Sequence, residues 1–371
     1  MIVFGSPSRY FQGPGCFDRL GDIVSGFGRS AVVIADAFVL PMLEERLRNS
    51  ATQASVELQV LPFSGDVTNE TIANLVAAVE GGVFKGRPDI VVAIGGGKAI
   101  DTGKAVCHRL GCGIVTVPTA AANDAPTSKN YVIYDEHHVL VEVAHLSENP
   151  KAVIADTEII ASAPKALLVA GIGDAITKAF EASQCYAVQG NNMFGQRPSL
   201  SALALAKAGY EVVREHAANG LVVTGTGKPN AAFEKLVEAL FLMGGLGFES
   251  GGLSIAHAMT RGLSREPSAA TAMHGHQVAY GLLIQLALEG RDAEFLTDMR
   301  NFYATVGLAD SLSALGVGSP GTDTYRLIAE PTLAAPHARN FTRSLTVSDL
   351  IDAMARVEAE AATFHSRTGE K

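Results

Sequence analysis

Tryptophan is absent from this 371-residue chain, and aromatic side chains make up only 6% of it. That scarcity decides nothing about function. Other absences exclude more. Lys and Arg (29) are outnumbered by Asp and Glu (38), and no basic cluster occurs. A nucleic-acid partner is therefore not expected. No apolar run approaches the roughly 20 residues that span a bilayer, and the start, Met1 to Pro7, has no basic segment and no sustained apolar stretch. Neither a membrane helix nor a signal peptide is expected, and the reading is of a soluble cytoplasmic protein. The four cysteines, Cys16, Cys107, Cys112 and Cys185, form no C-x-x-C pair. Cys107 and Cys112 are separated by four residues, a poor spacing for a zinc knuckle. Small buried thiols in a reducing compartment are the expectation.

The chain is too long for one ordinary core, so two domains are expected. Its first part alternates apolar runs with helical patterns. Strands are read at 31–35, ending in Asp36, at 56–61, at 89–94 and at 113–117, with helices at 38–49, 68–81 and 98–110 between them. This order implies a parallel sheet covered on both faces. Segments 131–134 and 139–143 flank Asp135-Glu-His-His138 and read as an antiparallel hairpin. A last strand covers 152–155. From Pro164 onward helical periodicity dominates. Helices are expected near 164–170, 174–187, 199–216, 231–247, 252–262, 275–289, 293–306 and 347–362, with the domain break near 157–163. Residues 1–160 would then be an α/β domain and residues 161–371 an all-helical one.

Gly95-Gly96-Gly97-Lys98-Ala99-Ile100-Asp101 joins the third strand to a helix. Missing side chains let a ligand approach the backbone, and free N–H groups at a helix start suit a pyrophosphate. The run matches neither the G-x-G-x-x-G fingerprint nor a P-loop, and a plain tight turn is the alternative. Asp36, at the carboxyl end of the first strand, is placed to accept hydrogen bonds from ribose hydroxyls and to repel a 2′-phosphate, which favours NAD over NADP. A turn or helix cap is the commoner use of such an Asp. The segment Pro118 to Ser128, with Thr119, Asp124 and Ser128, is long and rich in small residues, as a cofactor lying flat requires.

In the helical half, Asp174 is read as beginning a helix after Gly171-Ile172-Gly173. His257 and His274 lie on later helices. One carboxylate and two imidazoles make a reasonable ligand set for a catalytic divalent metal. An Asp at a helix start is more often a cap, and a lone His on an Ala-rich helix more often a core residue.

These segments resemble a known family as a set. Gly95-Gly-Gly-Lys-Ala-Ile-Asp-Thr-Gly-Lys104, Val117-Pro-Thr with Asp124-Ala-Pro-Thr-Ser128, Gly171-Ile-Gly-Asp174 with Phe180-Glu-Ala182, and His257 followed by His274-Gly and Val278-Ala-Tyr-Gly281 are similar, in order and spacing, to the glycerol dehydrogenases of the iron-containing (group III) alcohol dehydrogenase family. That family lies within the dehydroquinate-synthase-like superfamily. The resemblance covers roughly residues 5 to 365. It implies a Rossmann-like parallel sheet domain followed by an all-α domain. It implies zinc, or iron, on Asp174, His257 and His274. NAD would meet Asp36 with its ribose and Gly97 to Asp101 with its pyrophosphate, with Thr119, Ala120, Ala121, Ala122, Ser128, Asn130 and Tyr134 lining the rest. Asp124 would contact the substrate hydroxyl. A homo-oligomer, commonly an octamer, is also implied. The chain departs from the pattern at Thr260 and His276, expected beside the metal, and at Asn130.

The activity so implied is NAD-dependent oxidation of a small polyol, glycerol to dihydroxyacetone or a related vicinal diol or amino alcohol. An alternative is an NAD-using lyase, cyclase or sugar-phosphate dehydrogenase of the same superfamily, for which Lys178, Arg261 and Arg265 are the available cations. A metal-binding scaffold without activity is a further one.

Overall fold

A computed structural model describes residues 1–84, 86–136 and 140–368. The chain divides into two compact units. One comprises Gly5–Leu168 and Val222–Gly245; the other comprises Met1–Phe4, Val169–Leu221 and Leu246–Lys371.

The first unit is built on a six-stranded parallel sheet. Its strands are β1 (Tyr10–Gly13), β2 (Ser30–Asp36), β3 (Glu57–Phe63), β4 (Ile90–Gly95), β5 (Gly113–Pro118) and β8 (Ala152–Asp156), in the order β1-β8-β5-β4-β2-β3. A separate antiparallel pair joins β6 (Asn130–Tyr134) to β7 (Leu140–His145). Residues 137–139, part of the expected turn and the first residue of its second strand, lie outside the described residues. Side chains alternate across the main sheet. Ala31, Val33 and Ala35 enter one core, with Phe17, Leu20 and Leu47, while Val32 and Ile34 enter the other, with Ile72, Ile100 and Val106. Both faces are covered, which is why the strands read as unbroken apolar runs. Strand β1 escaped the sequence reading because its four residues are only half-buried and form no such run.

The units are not contiguous in sequence, unlike the division expected near residue 160. Residues 222–245 return to the α/β unit, where side-chain bonds hold them. The Gln12 amide donates to the Glu234 carbonyl at 2.7 Å, and the Thr157 hydroxyl donates to the Glu234 carboxylate at 2.5 Å. Helix Ala231–Glu238 continues into a π-type turn at Ala239–Met243. Such a turn releases carbonyls from the α-helical ladder, and the Phe241 carbonyl accepts the Thr127 hydroxyl at 2.9 Å.

The second unit is helical. Lys165–Ala187 is a single helix, so Asp174 lies in its middle and does not begin it. Gly171 and Gly173 suggested a break, but Gly173 serves a close crossing instead. A Cβ on Gly173 would lie 2.4 Å from the Gly275 carbonyl oxygen, and one on Gly275 would lie 1.7 Å from that of Ala170. Helix Thr322–Ala334 was also missed in the sequence, because Pro331 stands inside it. Among the described residues no single helix is long and apolar enough to cross a membrane. The crossing yields a test: Gly275→Ala must push backbone apart and should cost at least about 1–3 kcal/mol, read as a lower midpoint in denaturant. An unchanged midpoint would contradict this packing.

Candidate metal and nucleotide sites

The crossing at Gly173 and Gly275 brings their sequence neighbours together. Asp174 follows Gly173, and His274 opens helix His274–Leu288. His257 joins them from helix Ile255–Leu263. One ligand atom from each of the three lies within 4.8 Å of the others. At tetrahedral angles two metal–ligand bonds of about 2.0–2.2 Å place their donor atoms roughly 3.4 Å apart, so a closure of at most about 1.4 Å would seat an ion. The donor set, one carboxylate and two imidazoles, suits zinc or iron(II). Asp174 and His257 are buried, and His274 is exposed.

Residues around these three hold them in place. Glu181 is fully buried, two helical turns from Asp174 on the same helix face. Its Oε2 lies 2.5 Å from His257 Nδ1, and its Oε1 accepts the backbone N–H groups of Ser254 and His257, both at 2.9 Å. One carboxylate thus satisfies two orphan donors at a helix start and fixes the His257 ring. With Nδ1–H directed to Glu181, Nε2 is left as the atom available to a metal. It stands 3.2 Å from Asp174 Oδ1. The Thr177 hydroxyl is 3.1 Å from Glu181 Oε2. Lys178 Nζ donates to Asp174 Oδ1 at 2.6 Å and stands 3.1 Å from His257 Nε2.

These contacts decide the charges. Burial alone would raise Asp174, but Lys178 and His257 overcome it and hold the carboxyl well below its ordinary range. Burial likewise opposes ionised Glu181, yet His257 and Lys178 bring it down to about 2. Burial disfavours the imidazolium of His257, but Glu181 and Asp174 raise it on balance. His274 keeps an exposed edge, but the protein packed around its ring desolvates the imidazolium and lowers it to about 4, so the ring is neutral at neutral pH. His337, in the short turn Pro336–Arg339, is a further imidazole that sequence reading did not single out. Burial lowers it to about 4, and it feels the charges of His257 and Glu181.

The two departures expected beside the metal, Thr260 and His276, are engaged with backbone. The Thr260 hydroxyl donates to the His257 carbonyl at 2.8 Å. His276 Nδ1 accepts the Ala309 N–H at 3.2 Å, so its proton is on Nε2.

In the α/β unit the glycine loop sits at the carboxyl end of β4. Gly95 has φ +149°, and a Cβ there would lie 2.6 Å from Ala99 Cβ and 2.9 Å from Asp36 Cβ. Asp36 therefore stands beside the loop, where its Oδ1 also accepts the Phe38 N–H at 2.9 Å. Gly96 precedes helix Gly97–Leu110, and nothing lies within 4 Å of where its Cβ would be. This is a cradle of backbone at a helix N-terminus. Ala99 and Ile100 are buried beneath it, and Lys98 pairs with Asp66. Asp101 accepts the Val132 N–H at 3.1 Å, and burial raises its carboxyl to about 6.

The loop after β5 is anchored to the same place. The Thr119 N–H donates to the Gly95 carbonyl at 3.1 Å, and a Cβ on Gly97 would lie 2.6 Å from Asn123 Nδ2. Ala120 and Ala121 are buried, and Ala122 is half-buried. Buried Lys104 donates to the Ala125 and Asn130 carbonyls, both at 2.6 Å, and stands 3.4 Å from the Ser128 hydroxyl. The Asn130 side chain meets His145 Nδ1 at 2.7 Å. Tyr134 is half-buried, and burial pushes its hydroxyl up to about 12. Asp124 is half-buried in this loop, and its carbonyl accepts the Thr127 N–H at 3.3 Å.

The chain is similar to known proteins. Residues 7–157 match the model of the iron-containing alcohol dehydrogenases. The chain is 38% identical to glycerol dehydrogenase of Thermotoga maritima, over 87% of each chain. It is 35% identical to glycolaldehyde reductase of Halobacterium salinarum, over 88% of this chain and 89% of that one. The solved structure of glycerol dehydrogenase from Schizosaccharomyces pombe superposes with a TM-score of 0.94 at 28% identity, covering 100% of this chain and 94% of that one.

The ion cluster makes two predictions of opposite sign. Glu181→Gln should weaken zinc binding about 10- to 100-fold in chelator competition, since an orienting carboxylate is lost. Lys178→Met should tighten it at least about tenfold, because an ammonium and a divalent ion ~4 Å apart repel by about 8 kcal/mol at an effective dielectric near 20. Zinc affinity unmoved by either change would contradict these assignments.

Proposed function

The chain belongs to the iron-containing alcohol dehydrogenase family, and from that premise we propose that it oxidises a small polyol with NAD at a divalent metal held by Asp174, His257 and His274. Glycerol, giving dihydroxyacetone, is the first candidate substrate, with related vicinal diols and amino alcohols next to it. The convergence of the three donors from distant stretches of sequence carries this reading. The names of its relatives, glycerol dehydrogenase and glycolaldehyde reductase, support it.

Each residue has a task under this reading. Asp174 is held ionised, and His257 is turned by Glu181 to present Nε2. His274 stays neutral. The ion supplies Lewis-acid charge for the oxygen of the alcohol being oxidised, and the nicotinamide supplies the hydride acceptor. Gly95, Gly96 and Gly97 give the pyrophosphate an open backbone and free N–H groups, with Lys98, Ala99, Ile100 and Asp101 forming the helix turn behind them. Asp36 meets the ribose and selects NAD. Thr119, Ala120, Ala121, Ala122, Ser128, Asn130 and Tyr134 line the remainder, and Asp124 orients the substrate hydroxyl. Zinc is the first candidate metal and iron the second. A homo-oligomer, octameric by resemblance, and a cytoplasmic setting complete the proposal.

The placement of the cations disfavours a phosphorylated substrate. Lys178 is taken up by Asp174 and His257, while Arg261 and Arg265 are exposed. A phosphate site would need several of them converging.

The test offers NAD and a panel of glycerol, 1,2-propanediol, an amino alcohol and a 2-hydroxy acid to the metal-loaded protein. NADH should form with at least one polyol. The double variant His257→Ala, His274→Ala should lose bound metal and at least about a hundredfold in rate, as the loss of several kcal/mol of Lewis-acid stabilisation requires. Full metal content in that variant, or no NADH with any alcohol, would overturn the reading.

A further inference from the structure

At the amino edge of the parallel sheet, opposite the glycine loop, lies a cavity of about 340 Å³. Its walls include Arg87, Cys107, His108, Cys112, Glu148 and Lys151. The proposed polyol chemistry uses none of these residues. Cys107 lies near the end of helix Gly97–Leu110, and Cys112 follows Gly111, whose φ of +65° ends that helix. The turn brings the two cysteines face to face. The Cys112 N–H donates to the Cys107 carbonyl at 3.2 Å. Cys107 Sγ lies 2.9 Å from the Cys112 carbonyl oxygen, and Cys112 Sγ lies 4.0 Å from that of Cys107. A helix end closed in this way holds residues five apart at close range, and disulfides need Cα atoms about 4.4–6.8 Å apart. Cys107 is buried, whereas Cys112 is half-buried on the cavity wall.

We propose that Cys107 and Cys112 form an oxidant-sensitive dithiol, in which Cys112 attacks a hydroperoxide from the cavity and Cys107 resolves the product as a disulfide. In the first step the Cys112 thiolate forms a bond to one peroxide oxygen and the O–O bond breaks. The leaving hydroxide takes the thiol's proton and departs as water, and Cys112 is left as a sulfenic acid. The Cys107 sulfur then attacks the Cys112 sulfur, the S–O bond breaks, and the Cys107 proton leaves with that oxygen as a second water. The two sulfurs together lose two electrons, and one hydroperoxide gains them. A dithiol reductant reverses the change by exchange.

The electrostatics agree with these roles. Hydrogen bonding from Cys107 holds the Cys112 thiol below its ordinary value, and the Arg87 cation acts in the same sense. The same hydrogen bond, with burial, pushes Cys107 up. Thiolate character goes with attack on an oxidant. Cys16 and Cys185 provide internal comparison. Burial pushes each up to about 12.

The test treats the full-length protein, as purified, with hydrogen peroxide in modest molar excess. Free thiols are then counted after unfolding and the disulfide is located by peptide mass mapping. Of the four cysteines, two should be lost together, mapped to an intramolecular bond between Cys107 and Cys112, and recovered with dithiothreitol. Cys107→Ser should trap a sulfenic acid at Cys112 with dimedone, while Cys112→Ser should trap none at Cys107. Retention of all four thiols, earlier loss of Cys16 or Cys185, or no dimedone adduct on Cys112 in the folded Cys107→Ser protein would overturn the proposal. Circular dichroism establishes folding of each variant, and if one fails to fold, the wild-type peptide map alone decides.

Discussion

The helix crossing at Gly173 and Gly275 is the constraint on which the metal constellation depends. Helix backbones approach this closely only where side chains are missing, and a methyl group at either position would overlap a carbonyl of the opposite helix. Asp174 and His274 are the immediate neighbours of these glycines, so the packing contact fixes the distance between two candidate ligands. The third candidate ligand comes from a helix whose first N–H groups are capped by Glu181, again from the Asp174 helix. Packing, capping and ligation therefore share one helix, Lys165–Ala187.

Burying this many charges carries a large desolvation cost unless each has a partner. The arrangement meets that requirement in a compact way. Asp174 faces Lys178 and His257, and Glu181 faces His257 and Thr177. Lys178 and His257 favour the ionised form of both carboxylates. The ammonium of Lys178 and a divalent ion would share the same two donor atoms, so the cluster sets metal affinity by competition as well as by attraction. The relatives' names place alcohol and aldehyde chemistry on this fold, and the donor set of this chain suits that chemistry.

Much of the fold was legible because elementary patterns were strong. Strands covered on both faces gave unbroken apolar runs, and the helical half gave clear periodicity. Failures have particular causes. Gly171 and Gly173 look like a helix break, since sequence alone does not separate a glycine that ends a helix from one that admits a neighbour. Pro331 hid a helix, and β1 lacks an apolar run. The return of residues 222–245 to the α/β unit depends on the Glu234 and Phe241 contacts, which no local pattern announces. The three metal-ligand candidates could be picked out by residue type and resemblance, but their meeting is a tertiary fact. Glu181 was legible in principle, because residues 174, 178 and 181 fall on one helix face. His337 was not, for it arrives from a remote turn. Cys107 and Cys112 read as inert thiols because a spacing of five says little until the helix end is seen to fold them together.

The central claim is that one ion on Asp174, His257 and His274 enables hydride transfer from a polyol to NAD. Titrating the metal-stripped protein with zinc while recording NADH formation from glycerol tests it most directly, with 1,2-propanediol run in parallel. The account predicts no turnover without metal and a linear rise that ends at one ion per chain. Full turnover by the stripped protein, or a rate indifferent to added metal, would contradict it.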